Sequence, residues 1–207
     1  MIEILNGTRE TVSFQPKLGV RLYDNKEIED YPLHWHTAGE IIMPLENIYT
    51  VNVNNTNYVL QPHDICVIPS GELHQLCAPE SGSRIILQYD CSLLYHLEGF
   101  DSALHTLHPC TIIKATDQPE IHSELKELLI QLKEEYFKDD RLIGPMIYSI
   151  LIRFFVILGR DIINHEFHIT EGTRTKQHEY IDKFMKVCSY INEHCTEQIE
   201  VDDLASI

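Results

Sequence analysis

Residues 41–76, IIMPLENIYTVNVNNTNYVLQPHDICVIPSGELHQL, leave this chain little choice of fold. Apolar and polar residues alternate over YTVNV, the chain turns at NNTN, resumes at YVL, turns again at QPHD and runs on through ICVIP. A period of two places successive side chains on opposite faces of a strand, and the Asn, Asp and Pro clusters between the runs supply the reversals. SRIILQYD, residues 83–90, is a further strand of the same kind. Many short strands with no helix between them predict a sandwich or barrel rather than an alternating α/β sheet.

From about residue 117 the period lengthens. Asp117 is placed to cap a helix whose first turn holds Pro119 and Glu120, and Leu125, Leu128, Leu129, Leu132 and Tyr136 then share one face. A second helix is expected near residues 142–161, with Ile143, Ile147, Ile150, Phe154 and Leu158 on one stripe and Met146, Leu151 and Phe155 widening it. So wide an apolar surface calls for two partners, for instance the barrel and a second copy of the helix. Burial of the helix wholly within its own subunit satisfies the pattern equally. NHEFHITEGTRTKQ, residues 164–177, is polar and reads as a linker. Ile181, Phe184, Met185, Cys188 and Ile191 mark a third amphipathic helix, and EVDDLASI opens a fourth. A helix abandoned after two turns predicts that the chain is a piece of a longer protein. The resulting division is 1–115 for the barrel, 116–163 for a helical pair, 164–177 for the linker and 178–207 for a further helical segment.

Bulk properties narrow the function. At 207 residues the chain has the length of one domain and at most a second small one, and 43% hydrophobic with 23% charged residues is an ordinary globular balance. A formal charge of −16 opposes the counterion-displacing contacts that hold nucleic acid, and it disfavours anionic lipid. The cysteines at 66, 77, 91, 110, 188 and 195 show no metal-ribbon or disulfide spacing, which fits reduced thiols. No basic region followed by an apolar stretch opens the chain, and LIGPMIYSILIRFFVILG is interrupted by Pro145 and Arg153. The expectation is a cytoplasmic protein with no membrane partner.

Chemistry concentrates in HWHTAGE, residues 34–40, and PSGELH, residues 69–74. In a strand His34 and His36 share a face while Trp35 looks the other way, and parity carried onward brings Glu40 to the histidine side. Trp35 is then expected to pack under the helices. Pro69 and Gly71 make a turn that delivers His74 to a neighbouring strand. Three imidazoles and a carboxylate converging in a barrel suit zinc, nickel, iron or manganese. The same groups can hydrogen-bond each other or a sugar hydroxyl, and His34 or His36 can serve structure alone. Gln88 or Tyr89 joins them from the next strand, according to register.

These two stretches resemble the cupin family, whose motifs contain His-x-His, three or four residues, then Glu, and Pro-x-Gly-x-x-His. His34, His36, Glu40, Pro69, Gly71 and His74 match, while Asn47 and His63 stand where glycine is usual. Asn and His tolerate a left-handed backbone, so the turns survive. The resemblance implies a jelly-roll β-barrel, mainly β with added helices. YIDKFMKVCSYINEHCTEQIEVDDLASI is similar to the beginning of the DNA-binding domain of the AraC family of transcription regulators. Tyr190, Ile191 and the stretch Ile199 to Ala205 carry that likeness, with Glu200 where the family often has a capping Ser or Thr.

Together the two resemblances imply the ligand-sensing and dimerising domain of an AraC-type regulator, not an enzyme. Its effector would be a small molecule, often a sugar, meeting His34, His36, Glu40, His74 and Gln88 or Tyr89, with a divalent transition metal at the first four as a further option. Helix 142–161 would form a homodimer, and DNA would be read only by a helix-turn-helix domain of which 178–207 is the start. The alternative is a cupin metalloenzyme, of dioxygenase or isomerase type, using the three-His, one-Glu set.

Overall fold

The structure, a computed structural model, describes residues 5–15, 18–95, 97, 100, 107, 109–165, 183, 187, 190, 191, 194 and 198–206. Chain contacts divide it into two compact units, Met1–His168 and Ile169–Ile207.

Eight strands of the first unit build its core: β3 (Val20–Asn25), β4 (Tyr31–His34), β5 (Gly39–Pro44), β6 (Tyr49–Val53), β7 (Thr56–Leu60), β8 (Ile65–Ile68), β9 (His74–Cys77) and β10 (Arg84–Tyr89). A short hairpin, β1 (Leu5–Asn6) and β2 (Arg9–Glu10), precedes them, and β11 (Thr111–Ile113) follows. One sheet runs β11-β8-β5-β10-β3 and the other β4-β9-β6-β7. The chain crosses between sheets after β3, β4, β5, β7, β8 and β9, and its ladders are antiparallel. Such interleaving of β3 to β10 between a five-stranded and a four-stranded sheet is the jelly roll.

The alternation of YTVNV has a direct structural counterpart. Tyr49, Val51 and Val53 are buried between the sheets, while Thr50 and Asn52 point outward and are half-buried. By contrast β5, β8 and β10 are buried at every position, because one face fills the barrel and the other lies under protein. Tyr31, Ile42, Tyr49, Val51, Val53, Leu60, Cys66, Ile68, Leu76 and Ile86 form a single apolar cluster drawn from both sheets. The turns behave as their residues demand: Asn47 (φ 62°) and His63 (φ 72°) occupy the left-handed positions where glycine is usual. Asn54 and Asn55, both at positive φ, make the tight β6–β7 hairpin. Cys66, Cys77, Cys91 and Cys110 are free thiols; Cys188 and Cys195 lie outside the described residues.

A helical turn, α1 (Ser92–Tyr95), follows the barrel strands, and α2 (Pro119–Tyr136) and α3 (Ile143–His165) pack against each other. Pro119 starts α2, but the N-cap is Gln118, not Asp117, and no side chain caps it. Asp117 instead accepts the Thr116 hydroxyl at 2.8 Å, and Gln118 donates to Asp161 of α3 at 2.9 Å. The buried face of α2 comprises His122, Leu125, Leu128, Leu129 and Leu132, with Tyr136 only half-buried. Helix α3 starts one residue after the expected boundary and continues four past it; its buried residues include Ile147, Ile150, Leu151, Phe154, Phe155 and Leu158. By length and composition Ile143–Ile162 reaches what a membrane span needs, contrary to the interruption argument from Pro145 and Arg153. Its packing accounts for that apolarity: Phe155 lies 5.0 Å from the ring of Tyr89 on β10, and α2 covers another side.

The expected linker begins inside α3, at 164 and 165; its remaining residues and most of the third expected helix lie outside the described residues. Helix α4 (Val201–Ala205) has Glu200 at its N-cap. There Asp203 accepts the Glu200 backbone N–H at 3.1 Å, supplying a cap from the third helical position where no Ser or Thr is present.

Candidate functional site

The barrel brings two distant pieces of sequence to one point. His34 ends β4 and lies directly opposite His74 at the start of β9. His36 follows two residues after His34, and Glu40 on β5 is paired across the ladder with Gln88 on β10. The three imidazole centroids are 4.2 Å (His34–His74), 5.0 Å (His36–His74) and 5.6 Å (His34–His36) apart. A ligating nitrogen from each falls within 4.8 Å of the others, and all three side chains are buried.

Backbone carbonyls fix how these rings present themselves. His34 Nδ1 lies 2.7 Å from the Pro32 oxygen, His36 Nδ1 2.9 Å from that of Ala38, and His74 Nδ1 2.8 Å from that of Glu72. A carbonyl only accepts, so each Nδ1 carries the proton and donates it. In the neutral ring, Nε2 is then a bare lone pair. What those lone pairs meet is mostly further acceptors: His36 Nε2 is 3.2 Å and His74 Nε2 3.7 Å from Glu40 oxygens, and His34 Nε2 is 3.5 Å from Glu10. The Gln88 amide donates to Glu40 at 3.1 Å and to Glu10 at 3.5 Å. His74 Nε2, Glu40 Oε1 and Gln88 Oε1 have no hydrogen-bond partner although buried. An unpaired buried polar atom costs about 1–3 kcal/mol, so this arrangement asks for a proton or a cation at its centre.

The titration behaviour says the same. Burial pushes the Glu40 carboxyl up, but the His36 hydrogen bond and the charges of His74, His36 and His34 prevail and hold it at about 2. Burial pulls His36 down, yet the hydrogen bond and charge of Glu40, with Glu10, raise it above its ordinary value. For His74 burial dominates over Glu40, and the ring is driven down to about 3. Glu10 is raised, by burial against the opposing charges of His36 and His34. Both shifts favour a proton held between His36 Nε2 and Glu40, 3.2 Å apart.

Of the residues read from sequence, the structure brings His34, His36, Glu40, His74 and Gln88 together. Tyr89 is not among them. Consecutive strand residues alternate faces, so with Gln88 inward the Tyr89 ring lies against Phe155 and over Gly39. Trp35 also departs from expectation: it is half-buried, exchanges backbone hydrogen bonds with Thr8 and Glu10, and carries the Arg9 guanidinium 5.7 Å from its ring. The N-terminal hairpin occupies the place assigned to the helices. Glu10 itself was invisible to motif reading. Its signal was Gly7, at φ 62° in the two-residue hairpin turn Gly7-Thr8, which predicts a hairpin but not where it docks.

Beside the cluster lies a cavity of about 10 Å³, polar at Glu10, His34, Glu40 and Gln88 and apolar at Tyr23, Tyr31, Leu76 and Ile86. That volume holds one water-sized occupant. It is too small for a sugar ring.

No family model and no curated protein matches the sequence. Solved structures do match. The AraC-like transcriptional activator CuxR superposes with a TM-score of 0.51 at 8% identity, over 81% of this chain and 55% of that one. ToxT from Vibrio cholerae O395 gives 0.49 at 10% identity, over 90% and 67%. A cupin-2 domain protein from Shewanella frigidimarina gives 0.30 at 24% identity, over 34% and 68%. The likeness to CuxR is one of fold, and this chain spans little more than half of that protein's length.

Proposed function

We propose that this chain is the effector-sensing and dimerising part of an AraC-type transcriptional regulator, and that its effector is, or is held by, a divalent transition metal in the barrel. The fold shared with CuxR supports the first half. One observation carries the second: three Nε2 lone pairs and two carboxylates converge in a buried site where the donor they share is the Gln88 amide. His34, His36, His74 and Glu40 would hold the ion; zinc, nickel, iron and manganese all accept this set. When bound, the metal supplies a Lewis-acidic centre that cancels the carboxylate charge. The chain's own residues do the rest. Pro32, Ala38 and Glu72 orient the rings through Nδ1, Gln88 steadies Glu40, and the apolar wall of Tyr31, Leu76 and Ile86 keeps bulk water away.

A sensor works only if its ligand prefers one arrangement of the protein over another. Here the arrangement would be that of α2 and α3 on the barrel, which Tyr89, one residue beyond Gln88, connects to the site. The exposed Leu142 and Met146 at the start of α3 would lie in the homodimer contact. DNA would be read by a cytoplasmic helix-turn-helix module of which residues 178–207 are the opening, since a charge of −16 makes this part a poor partner for phosphate.

Equilibrium dialysis of the stripped chain against each metal, with elemental analysis and a melting curve, tests the reading. The expected result is about one equivalent bound and, at a hundredfold excess over Kd, about 2.7 kcal/mol of stabilisation, lost in His74→Asn. Sedimentation with and without metal should show a metal-dependent dimer that Met146→Glu weakens. A wild-type chain that takes up no metal, and melts unchanged, would remove the metal half; a metal-loaded monomer would remove the sensor half.

A further inference from the structure

We infer that Glu10 is a fifth ligand of this site, carried in by the β1–β2 hairpin, so that filling the barrel and docking the N-terminal strand are one event. The inference rests on the metal reading above and adds a residue that lies outside both sequence motifs.

Three observations point the same way. The Glu10 Oε2 atom is 3.5 Å from His34 Nε2 and 3.9 Å from His36 Nε2, on the lone-pair side of both rings. Its side chain is buried, and no lysine or arginine among the described residues forms an ion pair with it. A carboxylate withdrawn from water with no lysine or arginine beside it is disfavoured. With Glu40 it makes two negative charges in one cavity, which a single divalent ion neutralises. Finally, the hairpin is built to hold that position: Glu10 N–H donates to the Trp35 carbonyl at 2.9 Å, Trp35 N–H donates to Thr8 at 2.8 Å, and Arg9 lies over the Trp35 ring. Trp35 sits between His34 and His36, so the residue flanked by two ligands also anchors the strand carrying Glu10.

The consequence is chemical. Three imidazoles and two carboxylates leave at most one position of an octahedral ion, and none of a five-coordinate one, for anything from outside. Metal sites of enzymes keep a position open for substrate, whereas closed sites serve structure. The fifth ligand therefore favours a sensor whose output is the docking of residues 5–10.

Cobalt(II) titration of the full chain provides the test, because its visible spectrum reports coordination number and its affinity is read separately. Glu10→Gln keeps the shape and removes the ligand. It is expected to weaken cobalt binding about 10- to 100-fold, change the bound spectrum, and abolish the metal-induced slowing of amide exchange at residues 5–10. Arg9→Ala, which loosens the strand but leaves the carboxylate, should keep the wild-type spectrum. Emission from Trp35, the sole tryptophan, gives a second reading of hairpin docking. A Glu10→Gln chain with wild-type affinity and spectrum, alongside a Glu40→Gln chain that has lost both, overturns the inference and leaves the metal site standing. Equal spectral change in Arg9→Ala also overturns it. No binding by the wild type overturns both readings. Should Glu10→Gln fail to fold, Glu10→Asp, which shortens the reach by one carbon, must show the same spectral change.

Discussion

Acid should destabilise the metal-free barrel, and within the histidine–carboxylate cluster His74 should account for the onset. His74 is held at about 3 by burial, against an ordinary 6.5, with Glu40 opposing but not prevailing. The folded ring therefore stays neutral while the unfolded chain takes up a proton. Stability from this neutrality is complete above pH 6.5 and is lost as the pH falls from 6.5 toward 3. Glu40, at about 2 against 4.5, follows the same direction, its contribution present above 4.5 and lost between 4.5 and 2. His36, raised by Glu40, has the opposite sign: what it adds is complete below 6.5 and lost as the pH climbs through its folded value. Between 6.5 and 4.5 the loss among these three is thus that of His74, with a slope of about 1.4 kcal/mol per pH unit for one proton. From about pH 7 to about pH 5 it amounts to roughly 2 kcal/mol. Urea denaturation of wild type and His74→Asn in chelator, at those two pH values, isolates it. Asn keeps a donor for the Glu72 carbonyl and cannot be protonated, so its pH-dependent loss should be smaller by that amount. If His74→Asn loses as much stability as wild type over this interval, His74 is not neutral in the folded chain and the account of the cluster's charges fails.

Two further substitutions test how the barrel supports the site. A Cβ at Gly39 would lie 2.1 Å from Tyr89 Cζ and 2.3 Å from its hydroxyl, so Gly39→Ala must displace a ring held against Phe155. It should cost about 1–3 kcal/mol by urea denaturation and recover in the double variant with Tyr89→Leu; full additivity would deny the contact. Phe154→Ala, in the buried seam of α3, should cost about 3–5 kcal/mol in the same assay, and Met146→Ala, nearly half exposed, within about 0.5 kcal/mol. Similar losses at both positions would mean that the helix is packed on a different face.

What could be read in advance was whatever a local rule governs. The alternation of Tyr49–Val53 and the left-handed tolerance of Asn47 and His63 depend on neighbouring residues alone, and the structure shows both. Asp117 was misplaced by one residue because Pro119 fixes the helix start, leaving Gln118 as the half-helical flank. Gln88 and Tyr89 could not be separated by pattern, since SRIILQYD is buried on both faces and carries no alternation to reveal its register. Trp35 was sent toward the helices by a parity argument that was correct about the face and silent about its occupant. Glu10 was missed for the same reason, because nothing within the first ten residues states that they return to meet residue 35.

The closure of the barrel also bears on what can be sensed. Gln88 touches Glu40 on one side of the sheet, and on the other side the next residue, Tyr89, touches Phe155. Any occupant that repositions Glu40 acts on a strand with no free face, since β10 is buried throughout and paired on both edges, to β5 and to β3. A close-packed strand responds by shifting as a unit rather than by local yielding. A single ion drawn between Glu40, Glu10 and the three imidazoles can therefore reach the helical pair without a cavity large enough for a sugar. The space beside the histidines, about 10 Å³, is then of the size such a sensor needs.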